Sequence, residues 1–141
     1  MIVGGAVRSA RRSPYPQGMA RLGPERAAPT ASGGSLERAL ELIGTRSAMT
    51  LLREAFYGAR RFDDLVSRAG LSSMAASARL KEFVAAGLMV RRPYQSPNGT
   101  RCEYVLTDLG NECLPVVLAM MRFGAAVETA SETAELLADH G

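Results

Sequence analysis

The sequence contains few of the side chains on which metal binding and disulfide cross-linking depend. Its 141 residues include one histidine, no tryptophan and two cysteines, Cys102 and Cys113. A conventional zinc site takes about four Cys or His ligands, so this inventory does not favour one, and we expect neither a metal nor another cofactor. Two cysteines do not form a disulfide framework either, which makes a cytoplasmic protein the default expectation.

Catalytic groups are also scarce. Asp63 and Asp64 are adjacent carboxylates, but both fall in the first turn of a predicted helix, where acidic side chains favour the helix dipole. Neither cysteine has a histidine to activate it as a nucleophile. No glycine-rich segment follows a predicted strand as a phosphate-binding loop would. The sequence therefore predicts a protein that is not an enzyme.

Long apolar runs are absent as well. No run approaches the roughly 20 residues of a membrane-spanning helix, and no continuous apolar stretch follows the basic N-terminus as it would in a secretory signal. Because 47% of the residues are apolar, the chain can still bury a core. We expect one small domain with appendages and no membrane partner.

Charge is present but unevenly distributed. Residues 1–34 carry five Arg and one Glu, whereas residues 125–141 carry four acidic side chains and no Lys or Arg. The net charge of the whole chain is +3. A basic chain with an acidic tail suits a polyanionic partner such as DNA, although many basic proteins never bind DNA.

Composition divides the chain into three segments. Residues 1–34 are rich in Gly, Pro, Ala, Ser and Arg and are predicted to be a disordered basic extension, which either adds phosphate contacts or stays solvated. Residues 35–125 are expected to form one domain. Residues 126–141 are expected to form an acidic helical tail.

The domain is organised around a helix-turn-helix pattern followed by a hairpin. A short helix (62–69), a tight turn (70–72) and a second helix that ends near residue 86 precede two β-rich runs, 88–94 and 101–106. A Pro-Asn-Gly turn lies between the runs, with a positive φ available at the Asn or the Gly. This layout predicts an α+β, mostly α fold: a winged helix-turn-helix with a C-terminal dimerisation helix.

Helix starts and inward faces can be predicted from local pattern. Helices are also expected at 36–43 and 46–57. The predicted N-caps are Ser35, Thr45, Ser72 or Ser73, and Thr107. The predicted inward side chains are Met49, Leu52, Phe56, Leu65, Val66, Ala76, Leu80, Phe83, Val84 and Cys102. In the first β-rich run, Leu88 and Val90 alternate with Met89 and Arg91.

In a winged helix-turn-helix the second helix enters the major groove, and basic residues of the hairpin hold phosphates. The candidate DNA-contacting residues are Arg61, Ser73, Met74, Ser77, Ala78, Arg79, Lys81, Arg92 and Arg101. Arg60 and Arg91 are expected on the same surface. Because the outward side chains of the second helix are mostly small, we expect modest direct readout, with DNA shape and dimer spacing supplying part of the specificity.

The last predicted helix carries a heptad-like apolar seam. Leu109, Cys113, Val116, Met120, Phe123 and Val127 recur at intervals of four, three, four, three and four residues, a spacing typical of helices that pack on a partner helix. Pro115 is expected to kink this helix, and Gly124 to bend it again.

These stretches together resemble the HxlR-type family of bacterial transcriptional regulators, winged-helix relatives of the MarR group. The ordered pieces Arg-Arg-Phe-x-x-Leu, Arg-Arg-Pro-Tyr and Arg-x-Glu-Tyr-x-Leu-Thr-x-x-Gly carry the resemblance, which covers about residues 35–125. It implies a homodimer in which the first helix packs with the C-terminal helix across a two-fold axis. The implied interface residues are Leu36, Leu40, Leu109, Cys113, Val116, Met120, Phe123 and Val127.

The chain departs from the family pattern at three places. Ser35 stands where many members have a cysteine that in some is a thiol sensor, so redox sensing of that type is not expected. Phe123-Gly124 replaces Trp-Gly, and Ser47 replaces Trp. The smaller Ser47 either leaves a cavity near the dimer core for a small apolar effector or is compensated by neighbours such as Met49.

The sequence as a whole predicts a DNA-binding transcriptional regulator, with repression by operator occupancy as the expected mode. Its expected partners are double-stranded operator DNA, a second copy of the chain and an unidentified small-molecule effector. Two alternatives stay open. One is a winged-helix protein-interaction module without DNA binding, and the other is a thiol-reactive or small-molecule-binding protein on the same scaffold.

Overall fold

The computed structural model describes residues 34–140. The chain divides into two units, Met1–Arg38 and Ala39–Gly141. Of the first unit only residues 34–38, the start of the first helix, are described. The predicted basic extension therefore lies outside the described residues, apart from Gly34.

The described chain is mostly helical and contains one two-stranded antiparallel sheet. The elements in chain order are α1 (Ser35–Ile43), α2 (Arg46–Phe56), α3 (Phe62–Ala69), α4 (Ser73–Ala85), β1 (Met89–Ser96), β2 (Gly99–Leu106), α5 (Asp108–Asn111) and α6 (Leu114–Asp139). The predicted fold class is confirmed.

Three of the predicted N-caps are confirmed. The hydroxyl oxygens of Thr45, Ser72 and Thr107 each accept a hydrogen bond at 3.1 Å from the backbone N–H three residues later. Such bonds satisfy donors at a helix start that have no partner within the helix. Ser35 differs from the prediction, because α1 begins one residue earlier and the N–H of Arg38 donates to the carbonyl oxygen of Gly34.

The core lies where α2, α3 and α4 meet. Its largest fully buried side chains are Leu51, Leu52, Leu65, Leu80, Phe83 and Met89. The inward positions predicted in α3 and α4 are confirmed, except that Val66 and Val84 are only half-buried. In α2 the prediction was partly wrong, because Leu51 is fully buried whereas Met49 and Phe56 are half-buried.

The hairpin has a third strand-like neighbour that the sequence did not predict. β1 and β2 pair from Met89 opposite Leu106 to Ser96 opposite Gly99, whose φ of +111° closes the turn. On the other side of β2, Arg61 forms an isolated bridge with Glu103. The N–H of Tyr104 also donates to the carbonyl oxygen of Arg60 at 2.7 Å. The residues just before α3 are therefore fixed against the hairpin.

The C-terminal region differs from the single kinked helix that was expected. The chain forms short α5, turns, and starts α6 with Pro115 in its first turn. Proline is tolerated there because the first helical N–H groups have no partner within the helix. Beyond Val117 every described residue of α6 is exposed, and the helix continues through Gly124 and past the predicted domain boundary after residue 125.

By length and composition alone, the stretch Asp108–Asp139 could cross a membrane, with a mean hydropathy of 1.4 in its most apolar window. The expectation from the sequence concerned uninterrupted apolar runs and still holds, because this stretch owes its hydropathy to small and apolar residues interspersed with a few charges. Arg122 and Glu128 nevertheless lie in the middle of the stretch. Charged side chains there are costly in a lipid environment.

Candidate nucleic-acid interface

Helix α4 is held at a fixed angle to α3 by a tight turn. Gly70 ends α3 in the left-handed region with a φ of +68°, a conformation that glycine adopts without steric cost. Two residues later Ser72 caps α4. One face of α4 packs into the core through Ala76, Leu80 and Phe83, so the opposite face points to solvent.

The predicted groove-facing residues lie on that solvent-exposed face. Ser73, Met74, Ala78 and Lys81 are exposed, and Ser77 is half-buried. Met74 is 84% exposed, a larger fraction than for any other exposed large apolar side chain in the described part of the chain. Positions 74 and 78 are one turn apart and therefore project in nearly the same direction.

Arg79 is placed differently from the other candidates on α4. Its guanidinium contacts the carboxylate of Glu82 at 3.2 Å, and its side chain is only 25% exposed. Part of its charge is therefore already compensated within the helix. Arg79 stays a predicted DNA contact, but the structure gives it a competing partner.

The register of the hairpin places three predicted phosphate contacts on one face of the sheet. Arg92 lies opposite Glu103, which also faces Arg61 across the isolated bridge, and Arg101 lies opposite Tyr94. Directly opposed residues project to the same side of a sheet, as do residues two apart on one strand. Arg61, Arg92 and Arg101 are all exposed on this face. We call this face, with Tyr94 and Glu103, the wing face.

Tyr94 orients one of the three arginines. The guanidinium carbon of Arg61 lies 4.7 Å from the centroid of the Tyr94 ring, within the range of a cation–π contact. The contact spans two strands and holds a flexible side chain over the wing face. Tyr94 was not among the predicted site residues. Its signal would have been its position beside two arginines in the Arg-Arg-Pro-Tyr segment.

The expectation that all the basic residues converge on one surface was wrong in part. Arg91 alternates with Arg92 along β1 and so projects to the other side of the hairpin, where its guanidinium lies 5.9 Å from the ring centroid of Tyr104. Residues 60 and 61 likewise alternate beside β2. The charges are therefore divided between two sides of the hairpin, and the wing face carries three of them.

The arginines of the wing face have no ion-pair partner within residues 34–140. The ion pairs in that part of the chain are Arg53–Glu54 at 2.6 Å and Arg79–Glu82 at 3.2 Å. Glu103 lies between Arg61 and Arg92 in the register without forming such a pair. The guanidinium groups thus keep their hydrogen-bond donors for a ligand, and phosphate is a group that arginine binds well.

Two concave regions border these elements. A cleft of about 670 Å³ runs between the hairpin and the start of α3, with Arg61, Arg101 and Asp63 among its lining residues. A smaller cleft of about 160 Å³ lies between α2 and α6 and is lined by Met49, Thr50, Arg53, Val117, Met120 and Met121. Ser47 is not among the residues that line it, and its volume is below the roughly 300 Å³ of an ordinary small-molecule site.

Most residues of the predicted dimer interface are exposed in the single chain. They are Leu36, Leu40, Leu109, Val116, Met120, Phe123 and Val127. Cys113 is the exception, because it is only 8% exposed and belongs to the chain's own core. The turn between α5 and α6 redirects the seam, so Cys113 packs inward and the exposed apolar stripe begins at Val116.

The two cysteines have different environments. Burial, reinforced by the nearby Glu112 carboxylate, raises the pKa of the Cys113 thiol, whereas Cys102 is half-buried on the hairpin. Because the thiolate is the reactive form and a raised pKa lowers its fraction, we expect iodoacetamide at pH 8 to label Cys102 faster than Cys113 by on the order of tenfold.

Peptide mass spectrometry of timed samples would measure both labelling rates. Denatured protein supplies the control, since both thiols should then react alike. Equal rates in the folded protein would contradict the burial of Cys113.

Within residues 34–140, no three His, Cys, Asp or Glu side chains are grouped as metal ligands.

The chain is similar in sequence to a known protein family and to individual relatives. Residues 42–132 match the sequence model of HxlR-like helix-turn-helix proteins. The chain is 41% identical over 92 residues to the uncharacterized HTH-type transcriptional regulator Rv3095 of Mycobacterium tuberculosis, an alignment that covers 65% of this chain and 58% of that protein. It is 31% identical over 91 residues to the HTH-type transcriptional regulator sll1512 of Synechocystis, covering 64% and 67%. The chain thus spans 58% of the length of Rv3095.

Solved structures show the same architecture. The crystal structure of PA1607 aligns with a TM-score of 0.61 and 32% identity over 68% of this chain and 66% of that chain. The redox regulator HypR in its reduced form aligns with a TM-score of 0.62 and 25% identity over 71% and 99%. Alignments that cover 68% and 71% of this chain extend well beyond an isolated element.

Proposed function

The chain belongs to the HxlR-like helix-turn-helix family, and from that membership and the geometry of α4 and the hairpin we propose that it is a DNA-binding transcriptional regulator. It acts in the cytoplasm by occupying an operator as a homodimer. Repression is the proposed mode, because a dimer seated on promoter DNA obstructs the polymerase. No catalytic step is part of this proposal.

The observation that carries the proposal is the pairing of an exposed helix face with a basic wing face. Helix α4 presents a solvent-exposed side of a kind that fits a major groove. The neighbouring hairpin presents Arg61, Arg92 and Arg101 on one side, without ion-pair partners among residues 34–140. Base edges and phosphates of one duplex would then be contacted by adjacent elements of one domain.

The homodimer is supported by the exposure of α6. A helix of 26 residues is about 39 Å long, and beyond Val117 all of its described residues are exposed, although Met120 and Met121 also line a small cleft against α2. Val116, Met120, Phe123 and Val127 follow one another at four, three and four residues, so they form one apolar stripe. An isolated stripe of this kind is unfavourable in water. A second copy would cover it and place two α4 helices at a fixed separation.

We propose that an effector of the regulator acts through the same surfaces. The cleft of about 670 Å³ includes Arg61 and Arg101 in its lining, so an anionic molecule bound there would compete with phosphate. HypR is named a redox regulator, but this chain has Ser35 where many family members have a cysteine. We therefore do not extend redox sensing of that type to this protein.

A titration with DNA at two or more salt concentrations tests the proposal. The probe is the duplex upstream of the protein's own gene, measured by fluorescence anisotropy. Replacing Arg101 by Ala should weaken binding to all sequences alike. It should also flatten the plot of log K against log salt by about 0.9 for each phosphate that the variant no longer neutralises, or about 1.8 for a dimer.

Arg122→Ala is the matched control, because it removes the same charge from exposed α6, far along the chain from the hairpin. It should leave the salt slope unchanged. If Arg101→Ala changes neither affinity nor slope, the hairpin is not a phosphate-binding wing. If the unmodified protein shows no salt-dependent binding, the protein-interaction module becomes the better interpretation.

A further inference from the structure

The first two turns of α4 expose a surface of unusual chemistry for a base-reading helix. On its outward side lie Ser73, Met74 and Ala78, which are exposed, and Ser77, which is half-buried, with Lys81 one turn further on. Met74 and Ala78 are one turn apart, and the two serines lie beside them. The surface therefore consists of thioether and methyl groups flanked by hydroxyls.

Charged and amide readers are missing from that surface. Guanine is usually recognised by a bidentate Arg or Lys, and adenine by Asn or Gln. The arginine of this segment, Arg79, contacts Glu82 at 3.2 Å and is largely covered. Lys81 lies in the third turn, whereas the N-terminal half of such a helix is the part that faces base edges.

Apolar side chains in a major groove have one apolar partner, the C5-methyl group of thymine. Water covers Met74 in the free protein, since the side chain is 84% exposed, and a thymine methyl in DNA is exposed as well. Contact between them removes both apolar surfaces from water, which is favourable without any hydrogen bond.

We propose that α4 reads thymine methyl groups through Met74 and Ala78, with Met74 as the specificity-determining residue. The inference rests on the proposed DNA-binding function and names the feature of the base pair that this site recognises. Ser73 and Ser77 hydrogen-bond to base edges or phosphates of either sequence, so they position the helix without selecting the base.

The experiment removes only the methyl group. The full 141-residue chain first selects duplexes from a randomised library, and each thymidine in the best duplex is then replaced singly by deoxyuridine. Uracil keeps every hydrogen-bonding group of thymine. At one symmetry-related pair of positions, we expect each replacement to weaken binding about fourfold, and both together about fifteenfold.

Variants at Met74 test whether the weaker binding of deoxyuridine duplexes depends on this side chain. Met74→Gln has nearly the same size but a polar end, and it should bind the thymidine and deoxyuridine duplexes equally well. Met74→Leu keeps an apolar end and should retain the discrimination. Because Met74 is exposed, both variants should unfold at the wild-type temperature and keep the wild-type salt slope, which excludes a folding defect.

The outcomes separate this inference from the proposed function. If binding depends on salt but no deoxyuridine replacement weakens it, the recognition of thymine methyl groups is overturned. The proposal that the protein is a DNA-binding regulator would still stand. The same holds if Met74→Gln discriminates as strongly as the unmodified protein does. Failure to select any duplex, together with no salt-dependent binding, would overturn both.

Discussion

Replacing Phe123 by Asp should convert the protein from a dimer to a monomer and lower its affinity for operator DNA by about 100-fold or more. Phe123 is 67% exposed in the single chain and lies in the middle of the apolar stripe on α6. In the proposed dimer its ring is buried against the second copy, so an unpaired carboxylate there would be desolvated. Without the dimer, each α4 binds a half-site alone, so the gain in affinity from binding two half-sites at once is lost.

Ala125→Asp is the matched control for this variant. It adds the same charge two residues away on the same exposed helix, but about 200° further round, on the side away from the stripe. It should remain dimeric and bind DNA as the unmodified protein does. Sedimentation equilibrium would give the oligomeric state and anisotropy the affinity. A Phe123→Asp protein that stays dimeric would show that the copies associate through another surface.

The helix-turn-helix could be predicted because its signals are local. Ser72 stands directly before the first turn of α4, and Gly70 stands where the chain must take a positive φ. The buried stripe of Ala76, Leu80 and Phe83 follows the helical period. Each of these features depends on residues within one or two turns, so the sequence alone determines them.

The composition of the wing face depends on contacts between distant residues. The alternation of Leu88 and Val90 with Met89 and Arg91 does not reveal which set faces the core. Neither set does so throughout, because Leu88 and Met89 are both buried whereas Val90 and Arg91 are exposed, and the pairing of Met89 with Leu106 starts the sheet one residue later than expected. The bridge from Arg61 to Glu103 spans more than forty residues and leaves no periodic signal. Its consequence, an arginine held over Tyr94, was therefore missed.

The error at the C-terminal seam has a similar origin. A regular spacing of four and three residues suggested one continuous stripe from Leu109 to Val127. Proline is compatible with both the interior kink that was predicted and the first turn of a new helix. The close packing of α5 on the hairpin selects the second alternative and turns Cys113 toward the core.

Gly110 is the point of closest approach in that packing, and Gly110→Ala should destabilise the fold by about 3 kcal/mol. A Cβ at this position would collide with the carbonyl oxygen of Leu88 and lie 3.0 Å from its carbonyl carbon and 3.1 Å from Cδ2 of Leu106. Two of these atoms are backbone and cannot move without displacing the start of β1. The expected fall in Tm is about 15 °C.

Asn111→Ala is the control, because residue 111 is the exposed neighbour in the same short helix, and its stability should change by less than about 0.5 kcal/mol. Thermal and urea unfolding at fixed protein concentration would measure both variants. The Thr107 hydroxyl also donates to the carbonyl oxygen of Gly87, so the two ends of the hairpin are held together directly before α5. If the Gly110→Ala protein is as stable as the Asn111→Ala protein, α5 does not approach Leu88 closely. Another contact would then have to fix the position of α6 relative to the wing face.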